Sequence, residues 1–116
     1  MRTPTEVLHD HLAKRLAGEV DADIEQNYAD DTVFLTGTGS FFGKDGVRES
    51  ASELAKYLGE DAEFDYRHTE VSGPYAFLEW TGTAKNKVVC DGADSYVIRD
   101  GKIRFQSIHY TTRDNK

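Results

Sequence analysis

With 116 residues, 38% of them apolar, and with 1 Trp, 6 Tyr and 6 Phe, the chain is long enough to bury one core and too short for a second. A formal charge of −7 repels phosphate backbones and anionic lipid, and the basic residues stand singly, so neither nucleic acid nor a membrane is an expected partner. No run approaches the roughly 20 apolar residues that span a bilayer, and none follows Arg2 as a secretory signal would, so one cytoplasmic domain over 1–116 is expected.

Thr3-Pro4-Thr5-Glu6 joins a capping hydroxyl, a proline at the first helical position and a glutamate three residues after the cap, which together start a helix. Val7, Leu8, Leu12 and Leu16 recur at helical steps and give it an apolar face to about Ala17, where Gly18 supplies a left-handed stop. His11 and Arg15 fall inside the arc of that face. Snorkelling to its edge is the preferred reading, and a reach into a cavity is the alternative. Asp21 is expected to cap a short second helix, with Ile24 and Tyr28 on one face, so that Tyr28 aims inward. A strand over 32–36 follows the Tyr28-Ala29-Asp30-Asp31 corner, turns at Gly37-Thr38-Gly39 and pairs with Phe41-Phe42. Helix three spans roughly Asp45 to Leu58 and buries Val47, Ala51, Leu54 and Leu58. Its small middle, Ser50 and Ala51, either leaves room above a sheet or allows closer packing.

The rest reads as strands at about 63–71, 75–83, 93–99 and 102–112. The turn between Ala84 and Ala93 lies at Lys85-Asn86-Lys87 or at Asp91-Gly92. Helices followed by strands predict an α+β domain, a cone of curved antiparallel sheet closed by about three N-terminal helices. Period-two alternation places Ala76, Leu78, Trp80 and Gly82 on the covered face, and likewise Asp94, Tyr96 and Ile98. The last strand is mixed on both sides. The outer face keeps aromatics such as Phe77 and Phe105, which predicts a homodimer through that surface.

Asp94 carries the case for chemistry. A carboxyl group among Trp80, Tyr96 and Ile98 is poorly solvated, so its pKa should rise toward neutrality and suit it to acid–base work on a carbonyl compound. The alternative is a wet aspartate at a strand end after Asp91-Gly92. Trp80, Tyr96, Tyr28 and Tyr110 are either core or the walls of a void. Cys90 stands alone and reads as a small buried or half-buried apolar residue. His9, His11 and His68 show no ligand spacing, so neither a metal nor any other cofactor is expected. His68 reads as half-exposed, and no serine elbow or phosphate-cradling glycine run is present.

The order of helix, Tyr28-Ala29-Asp30-Asp31 corner and strand, with Phe42-Gly43-Lys44-Asp45-Gly46-Val47 and the Arg99-Asp100-Gly101-Lys102-Ile103 hairpin, resembles the nuclear transport factor 2-like superfamily, in particular its SnoaL-like branch. The likeness covers nearly the whole chain and implies the conical fold, commonly dimeric. It does not imply one activity, because the fold hosts cyclases, isomerases, epoxide hydrolases, dehydratases and binding modules. Compared with ketosteroid isomerases, the proton-shuttling carboxylate falls at Leu35 or Thr36 and the helix-one tyrosine at Leu12, so both groups are missing. Asp94 matches their buried carboxylic acid, Tyr28 the corner tyrosine and Tyr110 the last-strand aromatic. The resemblance also turns Gln106 and Ile108 toward the pocket and His109 outward. Arg99 has the wrong parity to join Asp94 in a limonene-type epoxide hydrolase site.

Two readings follow. In the first, the pocket binds a small apolar carbonyl compound, with acid–base catalysis of isomerase, cyclase or dehydratase type at Asp94 and with Tyr28, Trp80, Tyr96, Gln106, Ile108 and Tyr110 around the ligand. In the second, the chain is a non-catalytic dimeric ligand- or protein-binding module with a vestigial pocket. An open cavity with Asp94 facing it favours the first, and a filled cone the second.

Overall fold

A computed structural model describes residues 1–116. Helix α1 (Pro4–Leu16) and helix α2 (Val20–Asn27) lead into strand β1 (Tyr28–Thr36), its hairpin partner β2 (Gly39–Phe42) and helix α3 (Gly43–Leu58). Strands β3 (Glu63–Ser72), β4 (Tyr75–Thr83), β5 (Lys87–Arg99), β6 (Lys102–His109) and the short β7 (Arg113–Asp114) complete the chain. The sheet runs in the order β2-β1-β6-β5-β4-β3, with β7 paired to β5. All pairings are antiparallel except β1 with β6, which is parallel, so the expected α+β cone is built on a mixed sheet. No helix is long and apolar enough to cross a membrane.

The start of α1 follows from its first residues. Thr3 Oγ1 accepts from the Glu6 amide at 3.1 Å, and Glu6 Oε1 accepts from the Thr3 amide at 2.8 Å, which satisfies two amides that a helix end leaves orphaned. The apolar stripe then packs Val7, Leu8 and Leu12 into one core with Ile24, Val47, Leu78, Ile98 and Ile103. Leu8 and Val47 are fully buried, each such side chain contributing about 1.5–3 kcal/mol. Helices α1 and α3 therefore lie over the concave face of the sheet and roof it.

Three local expectations are corrected, and the open choice of turn after β4 is resolved. Asp21 does not cap α2. The cap position is Glu19, which makes no side-chain bond, and Asp21 instead accepts from Arg48 Nε at 3.0 Å. The turn after β4 lies at residues 84–86, and Asp91-Gly92 sits inside β5, because Gly92 is where β5 passes beneath the Trp80 indole. The last strand stops at His109, and Tyr110 leaves the sheet. Cys90 is exposed, its thiol accepting from Arg113 Nη2 at 2.9 Å. Its side chain turns outward just past the two residues that pair with β7, where Arg113 reaches it.

Candidate functional site

Neighbouring strands bring the inward residues into rungs. Across β4, β5 and β6, Leu78, Asp94 and Ile108 lie opposite one another, and so do Ala76, Tyr96 and Gln106. Trp80 stands one inward step beyond, over Gly92. Between these rungs and the helices lies a cavity of about 830 Å³, within the range of small-molecule pockets. Asp94, Trp80, Tyr96, Gln106, Ile108 and Tyr110 all line it, and α3 contributes Ser50, Ala51 and Leu54. His109 is exposed and pairs across from Ala93. His68 is exposed beside Glu70, 3.1 Å away.

Asp94 is 5% exposed. Its Oδ1 accepts from Trp80 Nε1 at 2.8 Å, and its Oδ2 accepts from Gln106 Nε2 at 2.8 Å. The Tyr96 hydroxyl lies 3.4 Å from the same Oδ2. Burial pushes the carboxyl up to about 6, against the pull of these three donors and of Arg15; desolvation of the charged form thus outweighs the bonds that favour it. The Trp80 ring is fixed on both sides, by Phe64 at 5.6 Å and by Tyr110 at 5.8 Å between ring centroids.

Tyr28 stands elsewhere than expected. It is fully buried, does not line the cavity, and its hydroxyl donates to Gln106 Oε1. That bond commits the Gln106 carbonyl to Tyr28 and turns the amide donor toward Asp94. Tyr28 points to the concave side but is walled off from the void by Gln106 and His11, so its contact is with these side chains and not with a ligand.

Sequence reasoning missed a second polar cluster on the roof. His11 does not snorkel; it is 3% exposed and lines the cavity. Its Nδ1 meets Asp23 at 2.8 and 2.9 Å, and Asp23, fully buried, also accepts from Arg15 Nε at 2.6 Å and from Asn27 Nδ2 at 2.8 Å. Burial works to raise Asp23, yet the bonds and charges of His11 and Arg15 prevail and hold it below the usual carboxylate range. Burial lowers His11 despite Asp23 beside it. An ionised Asp23 only accepts, so the Nδ1 of neutral His11 carries the proton and Nε2 offers a lone pair, 3.3 Å from the Tyr96 hydroxyl. The edges of the Tyr28 and Tyr96 rings confine the imidazole at 5.7 and 5.6 Å. The signal for this cluster was the inward arc of His11 and Arg15, whose partner on α2 periodicity did not reveal. No group of three or more His, Cys, Asp and Glu side chains is arranged to hold a metal ion.

Among solved structures the chain is similar to a nuclear transport factor 2-like protein of unknown function from Burkholderia xenovorans, with 17% identity, 97% of this chain and 86% of that chain covered, and a TM-score of 0.77. It is similar also to a candidate SnoaL-like polyketide cyclase from Mesorhizobium loti, with 18% identity, coverage of 94% and 100%, and a TM-score of 0.68. TerC, co-crystallised with polyporic acid, matches at 17% identity, coverage of 93% and 91%, and a TM-score of 0.73. At these identities the likeness is one of fold. No curated protein matches the chain. The SnoaL-like domain model matches residues 9–106, from within α1 to Gln106 of β6, and the chain belongs to the SnoaL-like domain family.

Proposed function

We propose that the cavity binds a compact, largely apolar carbonyl compound and that Asp94 exchanges a proton with it, in a reaction of the isomerase, cyclase or dehydratase type. One observation carries the reading: a carboxyl group nine-tenths or more withdrawn from water, raised to about 6, at the wall of an open cavity of about 830 Å³. A group poised near neutrality is both a usable base and a usable acid. Trp80, Ile108 and Tyr110 supply apolar walls, while Tyr96 and Gln106 hold the carboxylate and Tyr28 holds Gln106. A candidate cyclase and a ligand-bound protein among the neighbours support a small-molecule role. An open cavity weighs against the vestigial-pocket module.

The same proposal includes a cytoplasmic setting and a homodimer. Val33, Leu35, Tyr75, Phe77, Val97 and Phe105 form adjoining rows on the outer face. Arg99 lies beyond Val97 at the end of β5 and Glu79 beyond Phe77 in the middle of β4, on opposite sides of these rows, so a second copy turned about a two-fold axis sets opposite charges together.

The test uses 2-tetralone, a ketone with exchangeable α-hydrogens. In heavy water the wild-type protein should accelerate its deuterium exchange, read by NMR, and quench of Trp80 fluorescence should report binding. Asp94→Asn should bind without accelerating. Equal exchange in wild type and Asp94→Asn would remove the catalytic reading.

A further inference from the structure

The Tyr96 hydroxyl sits between two proton-binding groups. Its oxygen is 3.4 Å from Asp94 Oδ2 and 3.3 Å from His11 Nε2, and its single hydrogen serves only one of them at a time. On the far side of His11, Asp23 is held ionised by donors from three side chains. The row Asp94, Tyr96, His11, Asp23 is continuous and buried throughout.

We propose that Tyr96 relays protons between Asp94 and the His11–Asp23 pair, which serves as the reservoir that returns Asp94 to its starting state. The proposal deepens the acid–base reading of Asp94 and rests on it for its purpose, though not for its geometry. When Asp94 is ionised, the Tyr96 hydrogen points to its Oδ2. When Asp94 has taken a proton from a substrate carbon, its new O–H donates to the Tyr96 oxygen, and the Tyr96 hydrogen turns to His11 Nε2. Transfer along that row leaves Asp94 ionised, Tyr96 neutral and His11 as imidazolium against the Asp23 carboxylate. Two protons each move across one hydrogen bond, from Asp94 to the Tyr96 oxygen and from Tyr96 to His11 Nε2, for a net transfer of one proton and no electrons. His11 acts through Tyr96 and is a positioning residue and reservoir rather than a catalytic one.

The pair is built for this. Asp23 fixes the His11 tautomer with the lone pair toward Tyr96 and offsets part of the burial that lowers His11, so the imidazolium is a transient carrier of the proton and neutral His11 the resting state. Asp10 and Arg15 from α1, Asp23 from α2, Tyr28 from β1, Tyr66 from β3, and Asp94 with Tyr96 from β5 are the titratable and charged groups acting on this row. No lysine is among them. Burial holds the Tyr96 hydroxyl well above the ordinary phenol value, so it passes a proton without becoming a stable phenolate.

NMR on the intact, isotope-labelled protein tests this without a substrate. The His11 ring nitrogens and the Asp94 side-chain carbon are followed together against pH. At neutral pH His11 should be the Nδ1–H tautomer, and its Nε2 shift should step at the Asp94 midpoint as the Tyr96 hydrogen changes partner. In Tyr96→Phe the step should disappear while Asp94 still titrates, whereas coupling through space alone would leave it in place and overturn the proposal. Should Tyr96→Phe not fold, the wild type decides: a correlation across the hydrogen bond from the Tyr96 hydroxyl to His11 Nε2 should strengthen below the Asp94 midpoint, and one indifferent to that midpoint overturns the relay. An ordinary Asp94 midpoint near 4 sinks the acid–base reading instead, whether or not His11 follows it.

Discussion

Gly92 and Trp80 lie opposite each other across β4 and β5, and a methyl group added at Gly92 would stand 2.2 Å from the nearest indole carbon. No flexible end is available to yield there, because the contact is with the fused ring itself. Gly92→Ala should therefore tilt the indole, break its bond to Asp94 and cost about 1–3 kcal/mol or more from overpacking. Trp80 is the sole tryptophan, so urea unfolding and a red shift of native-state emission measure both effects in one sample. A variant with unchanged emission and stability would show that the ring has room to move.

Trp80→Phe keeps most of the apolar wall and deletes the Nε1 donor that faces Asp94 Oδ1 at 2.8 Å. A donor to a carboxylate favours its charged form. Its loss leaves desolvation less opposed, and the Asp94 midpoint should climb above its value of about 6. Titration of the Asp94 carboxyl carbon by NMR checks the direction. A fall would mean that water enters the space left by the indole.

The raised Asp94 has a thermodynamic consequence with a definite sign. Between its ordinary 3.8 and its folded value of about 6, the folded chain holds a proton that the unfolded chain has released. Stability from this group is thus greatest at low pH and is lost as pH rises through that window, by about 3 kcal/mol at 1.36 kcal/mol per unit. Asp94→Asn does not titrate. Its stability relative to wild type, from denaturant curves at pH 4 and pH 7.5, should improve by that order as pH rises, whatever constant offset its amide adds. A difference independent of pH would mean that Asp94 keeps an ordinary pKa.

Legibility followed the kind of interaction. The capping residues Thr3 and Glu6 and the apolar stripe of α1 are local patterns, and the structure matches them within a residue or two. Alternation was enough to turn Trp80, Asp94 and Tyr96 toward the helices, because a period of two leaves no third option. The facing of Gln106 and Ile108 needed the family likeness, since a bulge between Val97 and Ile98 shifts the β6 register and both faces of that strand carry apolar groups. The His11–Asp23 contact spans 12 residues and two helices, and helical periodicity fixes faces, not the angle between helices. Tyr28 was read correctly as inward, but a single chain does not say whether an inward ring meets a void or another side chain.

On the outer face Phe105 pairs across from Val97 and Val33 at the centre of the apolar rows. Phe105→Asp places a charge in that centre without touching the cavity. Sedimentation analysis should find the wild type dimeric, as proposed, and Phe105→Asp monomeric, with the fold preserved by circular dichroism. A wild type that is monomeric at micromolar concentration would remove the dimer from the proposal.

Asp23 and Arg48 show how burial, rather than the number of partners, sets the worth of an ion pair. Arg48 meets Asp21, Glu25 and Asp45 at the surface, where water and salt screen every contact and the net gain is small. Asp23 meets His11, Arg15 and Asn27 with no exposure at all. Asp23→Ala would strand the partly buried Arg15 charge and two donors, at about 3–5 kcal/mol. Because Asp23 is held low in the folded chain, its contribution is present above the unfolded carboxylate range and fades as pH falls through its folded value. The penalty of Asp23→Ala at pH 7 should therefore shrink in acid. Adding Arg15→Leu to Asp23→Ala should recover part of the loss at pH 7, since the second change removes the stranded charge. Purely additive losses in that double variant, measured by denaturant unfolding, would show that the pair is held by packing and not by charge.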